Sequence, residues 1–260
     1  MLNKLGGGVN SFIWKYWYPF VTNLTQGKAL TFLNYGYINS ELKLDLEADD
    51  EGNRPFIQLY HHNASFINLD GKDVVEISAG HGGGASYIAR YLKPKHMLGL
   101  ERNPKAVKFA ENYFSVPNLS FTVGDAHNLH LETASADVVV NVEASHAYGQ
   151  PENFLAEVNR VLRSGGHFLT TDFRSAAGAE KWRGMLLATG MEMIREEEIT
   201  TNVVDSLDSV NETRGHLIES NIPKVLRGIF RQFAGMQGST IYEHFKTGRY
   251  IYKTYALRKG

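Results

Sequence analysis

A glycine-rich stretch and an acidic residue downstream of it are the first residues whose types and spacing point to chemistry. Gly80-His-Gly82-Gly-Gly-Ala85 follows a short apolar run, and Glu101 stands 21 residues after Gly80. Glycines let the backbone approach a ligand closely, and the helix that follows aims its free N–H groups at that ligand. An acidic residue at this distance typically accepts hydrogen bonds from ribose hydroxyls. The pattern therefore predicts a site for a cofactor that contains ribose.

Two cofactors fit this glycine turn, and further features separate them. The spacing Gly-x-Gly-x-x-Ala also satisfies the fingerprint of a nicotinamide dinucleotide site. S-adenosylmethionine sites add an acid four residues before the first glycine, an acid after the third strand and a Gly-Gly turn before the fifth. Glu76, Asp125 and Gly165-Gly166 stand at these places. Together the features favour S-adenosylmethionine, and NAD(P) stays the alternative.

The expected contacts follow from the donors and acceptors of that cofactor. The backbone at Gly80 and Gly82 should pack against its methionine and ribose portions. Glu101 should accept hydrogen bonds from both ribose hydroxyls, which is a bidentate, charge-assisted contact. Asp125 should accept from the adenine amino group, and the Ala126 N–H should reach the ring. The candidate cofactor residues are Glu76, Ser78, Gly80, His81, Gly82, Glu101, Arg102, Asn103, Asp125, Ala126, Asn141 and Glu143.

A histidine and an aspartate at the ends of two later strands could handle a proton. His146 follows a β-branched run at 136–142, and Asp172 ends the run at 167–172. Histidine as a residue type titrates near neutral pH, so it is a natural acceptor for the proton of an alcohol or phenol. An aspartate can hold the imidazole tautomer. We predict that His146 and Asp172 are the catalytic pair. The alternative is that His146 only makes a hydrogen bond to a loop and Asp172 only caps the segment that follows it. Three metal ligands could come from His146, Asp172 and Glu143, but no metal is predicted.

Short apolar runs alternate with helical patterns between residues 71 and 175, which indicates a parallel sheet with crossover helices. The expected strands are residues 73–78, 96–101, 119–123, 136–142 and 167–172, and the expected helices are residues 85–92, 104–114 and 151–162. Right-handed crossovers between such elements give an open, doubly wound sheet. The chain also alternates like a strand from 250 to 258.

Residue composition and hydrophobic pattern divide the chain into four regions. They are an aromatic lid region at 1–70, a cofactor-binding core at 71–175, a mostly helical substrate cap without a strong strand at 176–237, and C-terminal strands at 238–260 that complete the sheet. The candidate substrate pocket consists of Trp17, Tyr18, Tyr35, Tyr37 and His146. A lid of this kind would exclude water from a reactive sulfonium. The alternative is that these aromatic residues pack as a hydrophobic helix face.

Composition excludes several classes of protein. The 27 lysine plus arginine residues nearly balance 28 aspartate plus glutamate residues, for a net charge of −1. Proteins that neutralise phosphates usually carry a basic excess, so nucleic acid is not an expected partner. The absence of cysteine excludes disulfides, thiolate metal sites and cysteine nucleophiles. The N-terminus lacks the features of a signal peptide, so we expect a cytoplasmic protein without stable membrane insertion. The oligomeric state stays open, with a homodimer as one candidate.

Six segments resemble those of one family of class I S-adenosylmethionine-dependent methyltransferases. The two most specific are residues 80–87, Gly-His-Gly-Gly-Gly-Ala-Ser-Tyr, and residues 141–146, Asn-Val-Glu-Ala-Ser-His. The other four are Lys15-Tyr-Trp-Tyr-Pro19, Phe32-Leu-Asn-Tyr-Gly-Tyr37, Leu59-Tyr-His61 and Gly235-Met-Gln-Gly238. In them the chain is similar to the mycobacterial phthiotriolone and phenolphthiotriolone dimycocerosate methyltransferases and glycopeptidolipid O-methyltransferases. It departs at Ala79, where the family often has cysteine.

The resemblance implies a Rossmann-like, seven-stranded α/β sheet with a helical lid or insert. It also implies transfer of a methyl group from S-adenosylmethionine to a small-molecule, natural-product or lipid-like acceptor, at an oxygen atom. Sugar O-methyltransferases of this fold are similar in carrying a histidine after the fourth strand and an aspartate at the end of the fifth. The alternatives are an N- or C-methyltransferase, an NAD-dependent oxidoreductase, and a binding protein of the same fold without activity.

Overall fold

The computed structural model describes residues 30–260 of the chain. The strands in this part are β1 (Asp73–Ile77), β2 (His96–Glu101), β3 (Leu119–Val123), β4 (Ala136–Val142), β5 (Leu162–Ser175), β6 (Glu192–Glu198) and β7 (Tyr250–Arg258). They form one seven-stranded sheet in the order β3-β2-β1-β4-β5-β7-β6. The first five strands are parallel, and β7 and β6 are antiparallel to their neighbours. The predicted Rossmann-like, seven-stranded α/β fold is confirmed.

Helices flank the sheet. In the described part they are α1 (Arg54–Ala64), α2 (Gly83–Tyr87), α3 (Pro104–Tyr113), α4 (Pro151–Val161), α5 (Ala176–Ala188), α6 (Thr200–Asn221), α7 (Lys224–Phe233) and α8 (Thr240–Lys246). The sequence of α4 shows why such helices form, because Pro151 starts it and its apolar residues recur on one face. Phe154, Leu155, Val158 and Val161 of that face are all buried. Within residues 30–260, no helix has both the length and the apolar character that crossing a membrane requires.

The middle of the sheet is buried on both faces. Val138, Val139 and Val140 of β4 are fully buried. Their side chains alternate between two apolar clusters, one that includes α1 and one that includes α4. A strand covered on both sides needs apolar residues at every position, which explains the continuous β-branched run. The rigid central strands therefore fix the positions of the residues at their carboxyl ends.

The segment 176–237 is mostly helical, as predicted, but the expectation that it lacks a strong strand is wrong, because it contains β6. Glu192–Glu198 pairs with β7 at the edge of the sheet, and most of its side chains are exposed. The strand escaped prediction because five of its seven residues are charged, which is how natural proteins protect an exposed sheet edge. The expectation of strands at 238–260 needs a second correction, because this region holds α8 followed by one strand, β7.

The Gly-Gly turn lies inside β5 rather than between a helix and a strand. The strand begins at Leu162, directly after α4, whereas the sequence predicts its start at residue 167. Gly165 has a φ of 77°, and the pairing with β4 is irregular between Ala136 and Val138. A bulge with a glycine at positive φ therefore absorbs the extra residues without ending the strand.

The helix after the glycine loop also differs from its predicted bounds of 85–92. It begins at Gly83 as α2 and continues as a π-helical turn, Ile88–Leu92. The N–H of Gly83 donates to the carbonyl of Thr31, so an N-terminal segment crosses the start of this helix. The other predicted strands and helices of the core agree with the structure to within one residue at each end, apart from β5, which begins five residues earlier and ends three residues later than predicted.

Candidate active site

The glycine loop joins β1 to α2 at the carboxyl edge of the sheet. Ser78, Gly80 and Gly82 have φ values of 64°, 61° and 85°, and the last caps α2. A Cβ at Gly82 would lie 2.6 Å from the ring of Phe121, so this position has both the conformation and the space of a glycine only. The loop backbone is thereby held close to the ends of the strands, where open α/β sheets bind their ligands.

Glu101 fastens the loop to the end of β2. Its Oε2 accepts the N–H of Gly80 at 3.1 Å, and its Oε1 accepts the N–H of Asn103 at 2.9 Å. Asn103 in turn caps α3 by accepting the N–H of Lys105 at 3.0 Å. Burial raises the pKa of Glu101, while these backbone N–H groups act in the opposite direction. A carboxylate held in this way can accept further hydrogen bonds from a diol.

Glu76 lies deeper, in β1, and is fully buried. The hydroxyl of Tyr60 on α1 donates to its Oε1 at 2.6 Å. Burial raises the pKa of Glu76 to about 8, and the negative charge of Glu101 acts in the same direction. A buried carboxyl group of this kind is available to pair with a positively charged group brought to the loop.

Ser78 and Asn141 meet through a tyrosine that the sequence did not single out. The hydroxyl of Tyr148 lies 2.7 Å from Ser78 Oγ and 3.1 Å from Asn141 Nδ2. The same Nδ2 donates to the carbonyl of Ile77 at 2.9 Å. The other amide atom, Asn141 Oδ1, is buried and has no hydrogen-bond partner within residues 30–260. This acceptor is therefore available to a hydrogen-bond donor of a ligand.

Asp125 and Ala126 follow β3. Asp125 Oδ1 accepts from the backbone N–H of His127 at 2.9 Å and lies 2.8 Å from His127 Nδ1, and these bonds lower the Asp125 pKa. Ala126 is buried, and Arg102 is exposed at the end of β2, where its charge also acts to lower the pKa of Asp125. The Asp125 side chain is 45% exposed, so it can still accept a hydrogen bond from a ligand.

These residues fit S-adenosylmethionine. The unpartnered Asn141 Oδ1 and the buried Glu76 offer acceptors for an amino group, Glu101 offers acceptors for a ribose diol, and the cradle at Gly82 has no room for a Cβ. Asp125 offers an acceptor for the adenine amino group. His81 differs from the rest, because it is buried with Nδ1 2.7 Å from the Leu30 carbonyl and its ring beside Phe109. Its cofactor contact stays a prediction.

His146 and Asp172 lie together at the carboxyl ends of β4 and β5. His146 Nδ1 is 2.7 Å from Asp172 Oδ1, and the backbone N–H of His146 donates to Asp172 Oδ2 at 2.8 Å. Ser145 Oγ donates to the same Oδ2 at 2.7 Å. The His146 side chain is 16% exposed and that of Asp172 is 2% exposed. The predicted pairing of these two side chains is present, with the imidazole at the site and the carboxylate behind it.

Arg174 completes the surroundings of Asp172. Its Nη1 lies 3.6 Å from Asp172 Oδ2, its Nη2 donates to Ser145 Oγ at 2.9 Å, and it stacks on the ring of Trp182. Burial alone would raise the pKa of the Asp172 carboxyl, but His146 and Arg174 outweigh burial and hold this pKa well below its ordinary value. Asp172 is therefore ionised at neutral pH, and the Nδ1–H of His146 is the donor in their hydrogen bond.

Glu143 follows β4 with a φ of 48° and points toward the N-terminal segment. Its Oε1 accepts the backbone N–H of Tyr35 at 2.6 Å and the hydroxyl of Tyr252 at 2.5 Å. Burial raises the pKa of Glu143 to about 7. Among residues 30–260 the structure contains no group of three or more His, Asp or Glu side chains that could hold a metal ion.

Residues 30–37, which we name the strap, cross the carboxyl edge of the sheet. Backbone groups at Leu30, Thr31 and Tyr35 bond to His81, Gly83 and Glu143 respectively. The strap thus spans from the glycine loop to the end of β4. The role of part of the N-terminal region as a lid over the site stays a prediction.

The candidate substrate residues lie in different surroundings in the structure. The Phe173 ring lies 4.4 Å from that of His146, and Tyr35 and Phe245 pack against Phe173 at 5.5 and 5.4 Å. Tyr35 therefore belongs to an apolar cluster next to the His–Asp pair. Tyr37 is instead stacked on His62 at 4.4 Å. Trp17 and Tyr18 lie outside the described residues.

Several site residues escaped the sequence analysis. Arg174 carried a usable signal, because it stands two positions after Asp172 in a strand and so shares its face. Tyr148 and Tyr252 carried none, because each reaches the site from a separate element of the chain. Tyr252, for example, lies 109 residues along the sequence from Glu143, which its hydroxyl contacts. Tyr60 lies in the segment 59–61 that resembles the family, but the sequence assigned it no role.

Comparisons with known proteins show which family the chain resembles. The family described as "Methyltransferase domain" matches residues 75–170. The phthiotriol/phenolphthiotriol dimycocerosates methyltransferase of Mycobacterium leprae (strain TN) is 38% identical over 248 residues, which cover 95% of this chain and 92% of that protein. The fatty-acid O-methyltransferase of Mycolicibacterium smegmatis (strain ATCC 700084 / mc(2)155) is 33% identical over 243 residues, 93% of this chain and 88% of that protein.

A solved structure has the same architecture. The geranyl diphosphate C-methyltransferase from Streptomyces coelicolor A3(2) superposes with a TM-score of 0.64, covering 94% of this chain and 98% of that one. Only 12% of the sequence is identical, so the likeness shows the fold and nothing finer. That structure is a complex with S-adenosyl-L-homocysteine.

Proposed function

The chain belongs to the class I S-adenosylmethionine-dependent methyltransferases, in the family of the phthiotriol/phenolphthiotriol dimycocerosates methyltransferases, and we propose that it methylates a hydroxyl oxygen of a lipid-like acceptor. Its cofactor is S-adenosylmethionine, and S-adenosylhomocysteine is the product of transfer. The acceptor atom, the general base and the residues that hold the cofactor are the finer parts of the proposal. A cytoplasmic location and a homodimer stay predictions from the sequence.

The pairing of His146 with Asp172 carries the proposal. Ionised Asp172 holds the Nδ1–H of His146 at 2.7 Å, and this tautomer places the lone pair on Nε2. Bound S-adenosylmethionine supplies an electrophilic methyl group on a positively charged sulfur. When an acceptor hydroxyl reacts with that methyl group, Nε2 would take the hydroxyl proton, and Asp172 would stabilise the imidazolium that forms.

The cofactor residues align the methyl group with this base. We assign the ribose hydroxyls to Glu101, the amino group to Glu76 and Asn141, and the adenine edge to Asp125 and Ala126. These groups lie at the carboxyl ends of β1 to β4, while His146 and Asp172 lie at β4 and β5. Alignment of donor and acceptor provides much of the rate in such a displacement.

A lipid-like acceptor fits both the relatives and the packing near the base. The relatives' names specify dimycocerosates and a fatty acid. Phe173, Tyr35 and Phe245 form the apolar cluster beside His146. An apolar wall excludes water and favours a hydrocarbon chain next to the reacting oxygen.

A fatty-acid carboxyl is the second candidate acceptor, because one relative is a fatty-acid O-methyltransferase. A carboxylate is already ionised at neutral pH and needs no base for methylation. The buried, ionised Asp172 behind His146 is instead suited to stabilise a histidine that gains a proton, which favours a hydroxyl.

Methyl transfer to three matched acceptors tests the proposal: a long-chain alcohol, the fatty acid of equal length and the corresponding primary amine. With labelled S-adenosylmethionine we expect the methyl ether, at a rate that rises with pH through the range in which histidine loses its proton. Products confined to the ester or the methylamine, or a rate that falls as pH rises, would contradict the hydroxyl assignment.

A further inference from the structure

The outer face of α7 is unusually apolar for an exposed surface. Val225 is 88% exposed and Ile229 is 46% exposed, and the two stand four positions apart on the helix. None of the ten residues of α7 is buried. Leu217, on the adjoining helix α6, is a further apolar side chain that is 48% exposed. Apolar side chains that cluster at a surface mark contact sites for other molecules.

These side chains are not the ones that hold α7 to the protein. Leu226 and Phe230 of α7 pack against a small core of Ile218, Ile222 and Met236. Val225 and Ile229 take no part in that core. The helix is therefore anchored without them, and their exposure needs a different explanation from folding.

The same helix is basic. Lys224, Arg227 and Arg231 lie in α7, and the chain has no acidic residue from 220 to 242, although its overall charge is −1. Glu219 of α6 pairs with Arg231 at 3.3 Å, and Arg227 donates to two backbone carbonyls. Lys224 makes no such pair in the described residues. The segment thus combines apolar side chains and a local positive charge.

We propose that α7 docks this enzyme on a lipid bilayer that carries anionic headgroups. A helix that has an apolar face and a basic polar face lies in the plane of a membrane interface. Val225 and Ile229 would enter the boundary of the acyl chains. Lys224 and Arg231 would extend their side chains to phosphate groups, as long basic side chains do at interfaces.

A second copy of the chain fits this surface less well. A stable dimer needs about 800 Å² of each partner, far more than three exposed side chains supply. A symmetric contact through α7 would also bring Lys224, Arg227 and Arg231 of both copies together, and like charges at close range repel. A bilayer needs less area and supplies the opposite charge.

The position of α7 connects this surface to the active site. The carbonyl of Ala234, just past α7, accepts from Arg214 Nη1 at 2.6 Å, and Arg214 Nη2 donates to the carbonyl of Asn34 in the strap at 3.0 Å. The next strap residue, Tyr35, bonds to Glu143. A bilayer at α7 would therefore lie beside the strap. This link to acceptor entry, unlike the docking itself, rests on the proposed function.

Vesicle sedimentation tests the docking. Wild-type enzyme, the double variant Val225→Ser/Ile229→Ser and the control Leu187→Ser, whose side chain on α5 is 44% exposed, are mixed with two kinds of vesicle. One kind is phosphatidylcholine alone and the other contains phosphatidylglycerol. We expect the wild type and the control to bind the anionic vesicles, more weakly as salt rises. The double variant should bind about 10-fold or more weakly. Lys224→Gln should reduce the salt dependence.

Equal binding by wild type and double variant, or no binding by the wild type, would overturn the proposal. A wild-type dimer that the double variant lacks, with no vesicle binding, would assign the surface to a second copy instead. Affinity for S-adenosylhomocysteine, unchanged in the double variant, shows that it is folded. Methyl transfer to a short-chain alcohol in solution separates the docking proposal from the proposed function. A loss of docking leaves this reaction intact. An error in the proposed acceptor class leaves vesicle binding intact.

Discussion

Two His–Asp pairs with the same 2.7 Å N–O contact lie at opposite ends of the strands of the sheet. His146–Asp172 is at the carboxyl edge, and His96–Asp73 is at the amino edge, where β1 and β2 begin. Their burial differs, since the Asp172 side chain is 2% exposed and that of Asp73 is 27% exposed. His146 is 16% exposed and His96 is 66% exposed. The geometry of a His–Asp pair alone therefore does not identify a catalytic site.

The surroundings of the two pairs explain the difference. Each aspartate has an arginine beside it, Arg174 near Asp172 and Arg163 near Asp73. At the carboxyl edge the charges are shielded from water and lie next to the glycine loop and the apolar cluster around Phe173. At the amino edge the same charges are in water, where such pairs contribute little. Position at the ligand edge and burial together give the pair at β4 and β5 its proposed role.

The largest expected effect comes from breaking each pair in turn. Asp172→Asn should lower kcat about 1000-fold or more, because the amide favours the wrong tautomer of His146 and no longer stabilises its charged form. Asp73→Asn removes the matching contact at the other edge and should leave kcat within about threefold of wild type. Steady-state methyl transfer measures both. Equal losses in the two variants would mean that the carboxyl-edge pair has no special role.

Cofactor affinity should respond to the carboxyl edge alone. Glu101→Gln removes the charge that we assign to the ribose hydroxyls and should weaken S-adenosylhomocysteine binding about 30-fold. Glu111→Gln, on the exposed side of α3, is the matched control and should bind like wild type. Calorimetric titration compares them. Unchanged affinity in Glu101→Gln would remove the ribose assignment while leaving the His–Asp pair untouched.

The pH dependence of kcat/KM should distinguish Arg174 near the first pair from Arg163 near the second. Arg174→Met removes a positive charge 3.6 Å from Asp172 Oδ2 that helps to hold the pKa of this carboxyl low. Asp172 should then gain a proton at a higher pH, so the acid limb of the kcat/KM profile should move to higher pH. Arg163→Met should not move it. The titration of Glu143, whose pKa is raised to about 7, is separated by repeating the profile with Glu143→Gln.

A smaller effect is expected on stability. Burial raises the pKa of Glu76 from 4.5 to about 8, so between these values the folded state holds a proton that the unfolded chain has lost. The free energy of unfolding should then fall as pH rises through this window. Glu76→Gln should reduce the fall between pH 5.5 and 8 by about 3 kcal/mol in the absence of cofactor. Denaturant titrations measure this.

Glu157 provides the control for that measurement. Its hydrogen bond to Arg160 lowers its pKa, so its contribution to stability is already complete above the unfolded pKa and is lost only as pH falls below it. Glu157→Gln should therefore shift the whole curve without changing its slope between pH 5.5 and 8. A slope that Glu76→Gln leaves unchanged would show that Glu76 is not the group responsible.

The cofactor side of the molecule could be predicted from sequence because its signals are local. Strands β1, β2 and β4 contain short apolar runs, β3 alternates between apolar and polar residues, and the acids and glycines stand at or near the ends of these strands. The edge strand β6 could not be recognised in this way, because backbone pairing with β7 holds it while its side chains are charged. The glycine bulge in β5 depends on a register with β4 that no local pattern reveals.

The acceptor side could be predicted only in part, because contacts between distant residues build it. Tyr35 meets Glu143 across 108 residues, and Arg214 meets Asn34 across 180. The pairing of His146 with Asp172 was predictable, since His146 follows β4 and Asp172 lies near the carboxyl end of the adjacent parallel strand β5. The apolar cluster of Phe173 and Phe245 was not, because α8 reaches the site from the C-terminal region.

The most direct test of the catalytic role of His146 is a side-by-side measurement on His146→Ala. Calorimetry gives its affinity for S-adenosylhomocysteine, and a single-turnover reaction with a long-chain alcohol gives the rate of methyl transfer. We expect the affinity to stay within about threefold of wild type and the rate to fall at least about 100-fold. A rate within tenfold of wild type, with the cofactor still bound, would contradict a base at this position.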